Sequence, residues 1–130
     1  MGEMTVRPER PGDARSIRSV TKAAFSGVPY SDGSEPSIPG ALRAAGDLAF
    51  SAVAEKARRL IGHVALSPVT IGSTGTGWYG LGPLSVLPDH QRQGTGTALM
   101  AAALDWLDRE RAAGCVLVGD PGYYGRFGFL

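Results

Sequence analysis

The sequence predicts a mixed α/β (α+β) fold, in which a mainly antiparallel twisted sheet carries one parallel strand pair and flanking helices. Three observations predict it. Two apolar runs, Leu48 to Ala54 and Leu60 to Val69, flank a charged turn and indicate an antiparallel hairpin. A strand, a glycine-bearing loop and a helix follow one another from Pro83 to Leu107. A further apolar run, Val116 to Val118, comes after that helix, and strand, helix, strand in this order favours a right-handed parallel crossover.

Composition narrows the class of protein further. The chain has 130 residues, 43% hydrophobic and 19% charged, which is typical of one globular domain spanning residues 1–130. A net charge of +1 and the absence of a large basic cluster argue against a nucleic-acid partner. No apolar run is long enough to span a membrane, so no membrane partner is expected. The single cysteine, Cys115, excludes an internal disulfide, and we expect a cytoplasmic protein.

The first half of the chain supplies a strand and two helices. Thr5 to Glu9 alternates and predicts a short strand. A helix starts at Pro11-Gly12-Asp13. The segment from Ser26 to Pro39 is rich in Gly, Pro and Ser and predicts a loop. A weaker helix over Ala41 to Ala45 ends at Gly46. The apolar stripe of the first helix comprises Ile17, Val20, Ala24 and Phe25.

The strand predicted from Trp78 to Leu87 contains a break in its apolar alternation. Leu81 and Pro83 share one parity, whereas Leu84 and Val86 share the other. Because side chains alternate across a sheet, the two pairs would face opposite sides. One extra residue in a bulge near Pro83 or Leu84 would flip the pattern and repair it.

The next helix is predicted from about Gln93 to Arg111, with Gly114 at its end. A helix start presents unpaired backbone N–H groups and the positive end of the helix dipole, a combination that binds phosphate. Gly94 and Gly96 have no Cβ, so an anion can approach the main chain closely. Arg92 adds a positive charge at the mouth of this loop. The residues at helical spacing along it are Leu99, Ala103, Trp106, Leu107 and Glu110.

Two motifs resemble those of the GNAT superfamily of N-acetyltransferases. The spacing Gln-x-x-Gly-x-Gly on Gln91, Gly94 and Gly96 resembles the family's pyrophosphate-binding motif. The segment 119–129 contains Tyr-Tyr-Gly-Arg-Phe-Gly-Phe and resembles the Tyr-x-x-x-Gly-Phe segment after the family's fifth strand, in particular that of a small bacterial branch. The resemblance implies a GNAT-like sheet with a central splayed parallel strand pair, and a bulge in the strand before the loop.

One feature departs from that pattern. GNAT domains usually continue into two more strands after the Gly128-Phe129 pair, whereas this sequence stops at Leu130. Without those strands the last sheet edge is bare, and a bare edge invites pairing with another chain. We therefore expect either a shortened chain, lacking the last two strands, or a partner over that edge, with a homodimer as one such partner.

The resemblance also implies an activity and a set of site residues. The activity is transfer of an acetyl group from acetyl-CoA, the donor substrate, directly to an amine, with no metal. Main-chain groups on the bulged strand would form hydrogen bonds with the pantetheine arm, and the Val86 N–H would donate a hydrogen bond to the thioester oxygen. Tyr124 would protonate the departing thiolate as the catalytic acid. The implied cofactor-binding set is Leu84, Ser85, Val86, Gln91, Arg92, Gln93, Gly94, Thr95, Gly96 and Thr97.

No side chain stands out as a general base. His63 lies between apolar residues, which is typical of a structural histidine. Glu55 is expected at a hairpin end and Asp120 as a helix cap. Asp32 and Glu35 lie in the loop that would face the acceptor, where they would attract a cationic amine. The acceptor, a small-molecule or peptide amine, has no diagnostic pattern in the loops Ser26 to Pro39 and Gly72 to Gly77, of which the second is expected to be the most mobile.

Two other functions stay open at this point. Gly94-x-Gly96 follows a strand and opens a helix, as in dinucleotide-binding units, with Asp120 after the next strand. Against that interpretation, Leu99 stands where the third small residue belongs, and Pro88 lies within an overlong strand-to-glycine connection. The second alternative is a non-catalytic acyl-CoA-binding or interaction module, because a fold and a ligand site do not guarantee turnover.

Overall fold

The computed structural model describes residues 4–26, 35–71 and 75–117. Five strands form one sheet in the order in which they occur along the chain. They are β1 Thr5–Pro8, β2 Phe50–Lys56, β3 Arg59–Ile71, β4 Gly75–Val86 and β5 Gly114–Leu117. The helices are α1 Ala14–Phe25, α2 Ile38–Ala45 and α3 Thr95–Arg109, with short 3-10 turns at Pro11–Asp13, Glu35–Ser37 and Pro88–His90.

The strand pairings confirm the predicted fold class. The first three pairings are antiparallel, and β4 pairs with β5 in parallel, from Trp78 opposite Gly114 to Leu81 opposite Leu117. The predicted splaying of this pair concerns the residues that follow Leu117, which lie outside the described ranges. The short last helix that Asp120 is expected to cap lies there too, as does the question of whether the sheet edge is bare. No described helix combines the length and the apolar composition that crossing a bilayer requires.

Several predicted boundaries need correction. Gly114 does not end the helix, because α3 ends at Arg109 and Gly114 opens β5. A Cβ on Gly114 would overlap the Trp78 ring, so close packing on β4 explains this glycine. The predicted loop from Gly72 to Gly77 is also too long, since β4 already begins at Gly75. The helix predicted from Ala41 starts earlier, at Ile38, and ends as expected at Gly46 in a left-handed conformation.

The predicted bulge in β4 is confirmed. Between the pairs that Leu81 and Leu84 make with β3, β4 contains one residue more than β3. Gly82 and Pro83 therefore share a single partner, and Gly82 has a positive φ of 154°, which only glycine adopts readily. The extra residue brings Leu81, Leu84 and Val86 onto the same apolar core, as the broken alternation in the sequence predicts.

The two faces of the sheet are covered by different helices. On one face, which we call the α3 face, α3 packs Leu99, Met100, Ala103 and Leu107 against apolar residues of β2, β3 and β4. On the other, the α1 face, α1 packs against β3 and β4 through Ile17, Val20 and Thr21. The residues of β3 alternate accordingly: Val64 and Leu66 belong to the α3 core, and His63 and Ala65 are buried on the α1 face.

Candidate functional site

The loop between β4 and α3 has the geometry of an anion-binding helix start. Gly94 is the N-cap of α3 and has a left-handed backbone, with φ 86° and ψ 0°. The Ala98 N–H donates to the Gly94 carbonyl at 3.0 Å and closes the first helical turn. The N–H groups of Thr95, Gly96 and Thr97 precede that turn, so the helix itself provides no acceptor for them. They remain available to a ligand, which is what the sequence predicts.

The same loop is open to solvent. Gln91, Arg92, Gln93 and Gly94 are all exposed, whereas the Thr95 side chain is only 3% exposed and anchors the helix start. Arg92 has a positive φ of 63°, which costs a non-glycine residue on the order of 1 kcal/mol. Strained residues of this kind concentrate at functional sites.

Side-chain amides fix the loop relative to β4. The Gln91 Nε2 donates to the Val86 carbonyl at 3.1 Å, and the Gln93 Nε2 donates to the Asp89 carbonyl at 3.3 Å. Gln91 thus bonds the end of the strand, so its part in the Gln-x-x-Gly-x-Gly spacing is to join strand and loop. The loop and β4 are held as one unit.

The main chain of β4 presents free groups beside this loop. The Leu87 N–H donates to the Ile61 carbonyl at 2.8 Å, so the main chain of Leu87 faces β3. Hydrogen-bonding direction alternates along an antiparallel strand, so Ser85 also faces β3, whereas Val86 and Leu84 face outward. The described pairs with β5 stop at Leu81. Among the described residues, the outward N–H groups of Leu84 and Val86 therefore have no strand partner.

His63 lies under α1 in a buried hydrogen-bond chain. It is fully buried, and its Nε2 lies 2.7 Å from the Ser51 Oγ. The Ser51 hydroxyl donates to the Glu9 Oε1 at 2.6 Å, and Arg43 donates to both Glu9 oxygens at 2.7 and 3.0 Å. Burial lowers the pKa of His63 to about 4, so the imidazole is neutral near pH 7. The structural histidine predicted from sequence is thus half satisfied, because its Nδ1 has no partner among the described residues.

The charge of Glu9 follows from the same contacts. Burial alone would raise the pKa of its carboxyl, but the hydrogen bonds from Arg43 and Ser51 outweigh burial and lower it. Sequence reasoning missed this chain, although a signal for it exists. Ser51 and His63 are polar residues that interrupt two apolar runs at inward-facing positions, and a buried polar residue usually has a polar partner.

Some of the remaining candidate residues are described by the structure, and the others lie outside the described ranges. Glu55 pairs with Arg7 at 3.5 Å, as a hairpin-end charge, and Cys115 is half-buried, with burial raising the pKa of its thiol. The described residues contain no cluster of His, Cys, Asp and Glu that could hold a metal ion. The backbone of Glu35 opens a 3-10 turn. Asp32, Asp120 and Tyr124 lie outside the described residues.

Comparison with known proteins identifies the family. The sequence pattern of the Acetyltransferase (GNAT) family matches residues 15–129. The chain belongs to this family of acetyltransferases. It is similar to the uncharacterized N-acetyltransferase YhbS of Escherichia coli strain K12, with 35% identity over 127 residues, which cover 97% of this chain and 73% of YhbS.

Two crystal structures share both fold and sequence with the chain. A GNAT family acetyltransferase from Brucella melitensis, in complex with acetyl-CoA, has a TM-score of 0.93 and 53% identity, covering 98% of this chain and 83% of that one. The Escherichia coli YhbS structure, in complex with CoA, has a TM-score of 0.90 and 32% identity, covering 100% of this chain and 70% of that one. The resemblance inferred from the two motifs is confirmed.

Proposed function

We propose that this acetyltransferase uses acetyl-CoA as its donor and moves the acetyl group directly to an amine. The observation that carries the proposal is the junction of β4 and α3. There the free N–H groups of the helix start lie next to the outward N–H groups of Leu84 and Val86, and the Gln91 side chain joins the two sets. The acetyl-CoA and CoA complexes of the Brucella and Escherichia relatives support it.

The parts of the donor match these groups by chemistry. The diphosphate is an anion, and it suits the N–H groups at Gly94 to Thr97 with the positive helix end behind them. Arg92 supplies a charge at the loop mouth. The pantetheine amide and the thioester oxygen are acceptors, and they suit the outward N–H groups of Leu84 and Val86. A donor held this way has its carbonyl polarised and its position fixed, which lowers the barrier to attack.

The transfer itself needs no covalent enzyme intermediate. The amine nitrogen bonds to the thioester carbon, the C–S bond breaks, the nitrogen loses a proton and the CoA sulfur gains one. We propose that the Tyr124 hydroxyl supplies the proton to the sulfur, as the motif implies. Cys115 is a poor nucleophile, because burial raises the pKa of its thiol and so disfavours the reactive thiolate.

The acceptor is proposed only as a class, a small-molecule or peptide amine. A panel for testing it comprises spermidine, L-lysine, kanamycin and a tripeptide with a free N-terminus. We propose that the enzyme is cytoplasmic. Acetyl-CoA is a soluble donor, and a chain with a single cysteine needs no oxidising compartment to form an internal disulfide.

The test is release of free CoA thiol from acetyl-CoA in the presence of each amine, alongside calorimetric binding of acetyl-CoA. We expect acetyl-CoA to bind and at least one amine to accelerate thiol release. In Gly94→Val, a side chain enters a left-handed position beside the diphosphate, and we expect binding to weaken by about 100-fold or more.

Gly40→Val is a matched control on the exposed surface of α2, where a Cβ also meets nothing within 4 Å and φ is not positive. It should bind acetyl-CoA like the wild type. Equal affinities in both variants would remove the helix start from the binding site. Binding without thiol release for any amine would favour the non-catalytic acyl-CoA-binding module instead.

A further inference from the structure

The chain Arg43–Glu9–Ser51–His63 fixes which nitrogen of His63 carries a hydrogen. The ionised Glu9 carboxylate can only accept, and it takes the single hydrogen of the Ser51 hydroxyl. Ser51 can then only accept from His63, so the hydrogen of the neutral imidazole lies on Nε2. The Nδ1 is left as a bare lone pair, fully buried and without a partner among the described residues.

The cross-strand neighbour of His63 on β4 is Ser85. His63 and Ser85 are direct register partners across β3 and β4, so their side chains share the α1 face, with Cβ atoms about 5 Å apart. The Ser85 side chain is 1% exposed, and its hydroxyl also has no partner among the described residues. A bare acceptor and an unused donor therefore lie at paired positions on the same buried face, and buried polar groups are normally hydrogen-bonded. The two atoms are not hydrogen-bonded to each other in the structure, and a turn of the Ser85 side chain about its Cα–Cβ bond, or one buried water, would join them with the same polarity.

We propose that His63 is a positioning residue for acetyl transfer, which binds the Ser85 hydroxyl and thereby holds β4 in the register that turns the N–H groups of Leu84 and Val86 outward. Ser85 lies between these two residues, one register pair beyond the bulge, which locally disrupts the ladder. The inference rests on the proposed function, because those N–H groups are the ones assigned to the pantetheine amide and the thioester oxygen.

The polarity of the chain is what matters for this role. Burial lowers the pKa of His63 and outweighs the charges of Glu9 and Asp13, which raise it, while the Arg43 charge acts in the same direction as burial, so the imidazole stays neutral at working pH. Behind Glu9 and Arg43 lies a surface cleft of about 550 Å³, which Pro11, Gly46 and Leu48 also line. The solvent end of the chain is thus on this cleft, whose lining includes no residue of the loop at Gly94.

Kinetics of the full chain test the proposal, with acetyl-CoA and the panel amine that gives the highest turnover. His63→Gln places an amide near Nε2, which keeps the Ser51 contact and removes Nδ1, and we expect kcat to fall about tenfold. His63→Asn places a polar atom at the position of Nδ1, and it should recover most of that loss. Ser51→Ala frees the tautomer and should resemble His63→Gln.

Thr21→Val is the matched control. It removes another buried hydroxyl on the α1 face, whose one partner among the described residues is the Ile17 carbonyl of its own helix, at 2.8 Å. Its kcat should stay within about twofold of the wild type, even where its stability falls as much as that of Ser51→Ala. A merely structural role for His63 would lower stability and leave the kcat of folded molecules unchanged, and that result would overturn the proposal.

Nitrogen NMR of the imidazole separates this proposal from the proposed function. In the wild type we expect the hydrogen on Nε2, and a Nδ1 resonance that moves in Ser85→Ala as the hydrogen bond is lost. A hydrogen on Nδ1, or a resonance indifferent to Ser85→Ala, would overturn the positioning role whether or not the protein turns over acetyl-CoA. Absent acetyl-CoA binding with the expected spectra would instead refute the proposed function and, with it, the positioning role in acetyl transfer.

Discussion

The two faces of the sheet are built on opposite principles. The α3 face is an uninterrupted apolar core in which Leu99 and Met100 of α3 are fully buried against the strands. The α1 face buries a histidine, a serine and a threonine alongside its apolar residues, and the Glu9 carboxylate anchors the hydrogen-bond chain that reaches the histidine through Ser51. The α3 face derives its stability from packing, whereas the α1 face also fixes hydrogen-bond direction. Strand β4 contributes side chains to both faces, with Leu84 and Val86 on the α3 face and Ser85 on the α1 face, and the candidate site lies at this end of the strand.

The largest effect should come from the apolar face. Leu99→Ala leaves a cavity beneath the helix that carries the loop at Gly94, and we expect the free energy of unfolding to fall by about 3–5 kcal/mol. Urea denaturation measures this. A loss below about 1 kcal/mol would mean that the core around Leu99 collapses easily and is not close-packed.

Gly62→Ala tests how tightly α3 packs on the sheet. A Cβ there would lie 2.8 Å from the Leu99 Cδ1 and 3.0 Å from the Ser85 carbonyl oxygen, which is main chain and cannot move aside freely. We expect a loss of about 2 kcal/mol by overpacking. In the double variant Gly62→Ala/Leu99→Ala, the new methyl group gains room. The double variant should therefore lose less free energy of unfolding than the sum of the losses of the two single variants. Full additivity would contradict the close contact.

The pH dependence of stability is a test of the polar face. The pKa of His63 is about 4 in the folded state against 6.5 in the unfolded chain, so the unfolded chain takes up the proton first as pH falls. Stability is therefore complete above pH 6.5 and is lost as pH falls toward 4.

The corresponding measurement compares the wild type with His63→Gln by urea denaturation at two pH values. Between pH 7 and pH 5 the wild type should lose about 2 kcal/mol more than the variant. Glu9 and Asp13, whose pKa values are lowered, are common to both proteins, so most of their contribution cancels in the difference, apart from the smaller part of the Glu9 shift that comes from His63. Identical pH profiles would show that His63 is not held neutral.

The smallest effect should come from the surface of α3. Arg109 and Asp105 form an exposed ion pair at 2.8 Å, four residues apart on the helix. Asp105→Asn should change the free energy of unfolding by only about 0.3 kcal/mol, and less at high salt. An effect above about 1 kcal/mol would indicate that this surface carries more than solvated charge.

The contrast between the faces also explains how much the sequence can predict. The α3 face follows from periodicity alone: the spacing of Leu99, Ala103 and Leu107, and the broken alternation of β4, predict both the helix and the bulge. The conformation of the loop before α3 follows from glycine placement, because the N-cap Gly94 has a left-handed backbone that favours glycine.

The polar face could not be predicted in the same way. Glu9, Arg43, Ser51 and His63 are far apart in sequence, and only the folded sheet brings them together. No spacing rule links a residue after β1 to one on β3. The end of α3 differs from the predicted one for a related reason. Gly114 is a glycine because the Trp78 ring packs against it across the sheet, and local helix propensity does not reveal that contact.

The central claim is that main-chain amides at the junction of β4 and α3 bind acetyl-CoA. An amide NMR titration of the isotope-labelled protein with acetyl-CoA tests it most directly. We predict that the largest shifts occur at Gly94, Thr95, Gly96 and Thr97, followed by Leu84 and Val86. Unchanged resonances at these six residues, with the main shifts instead around the cleft beside Glu9 and Arg43, would contradict it.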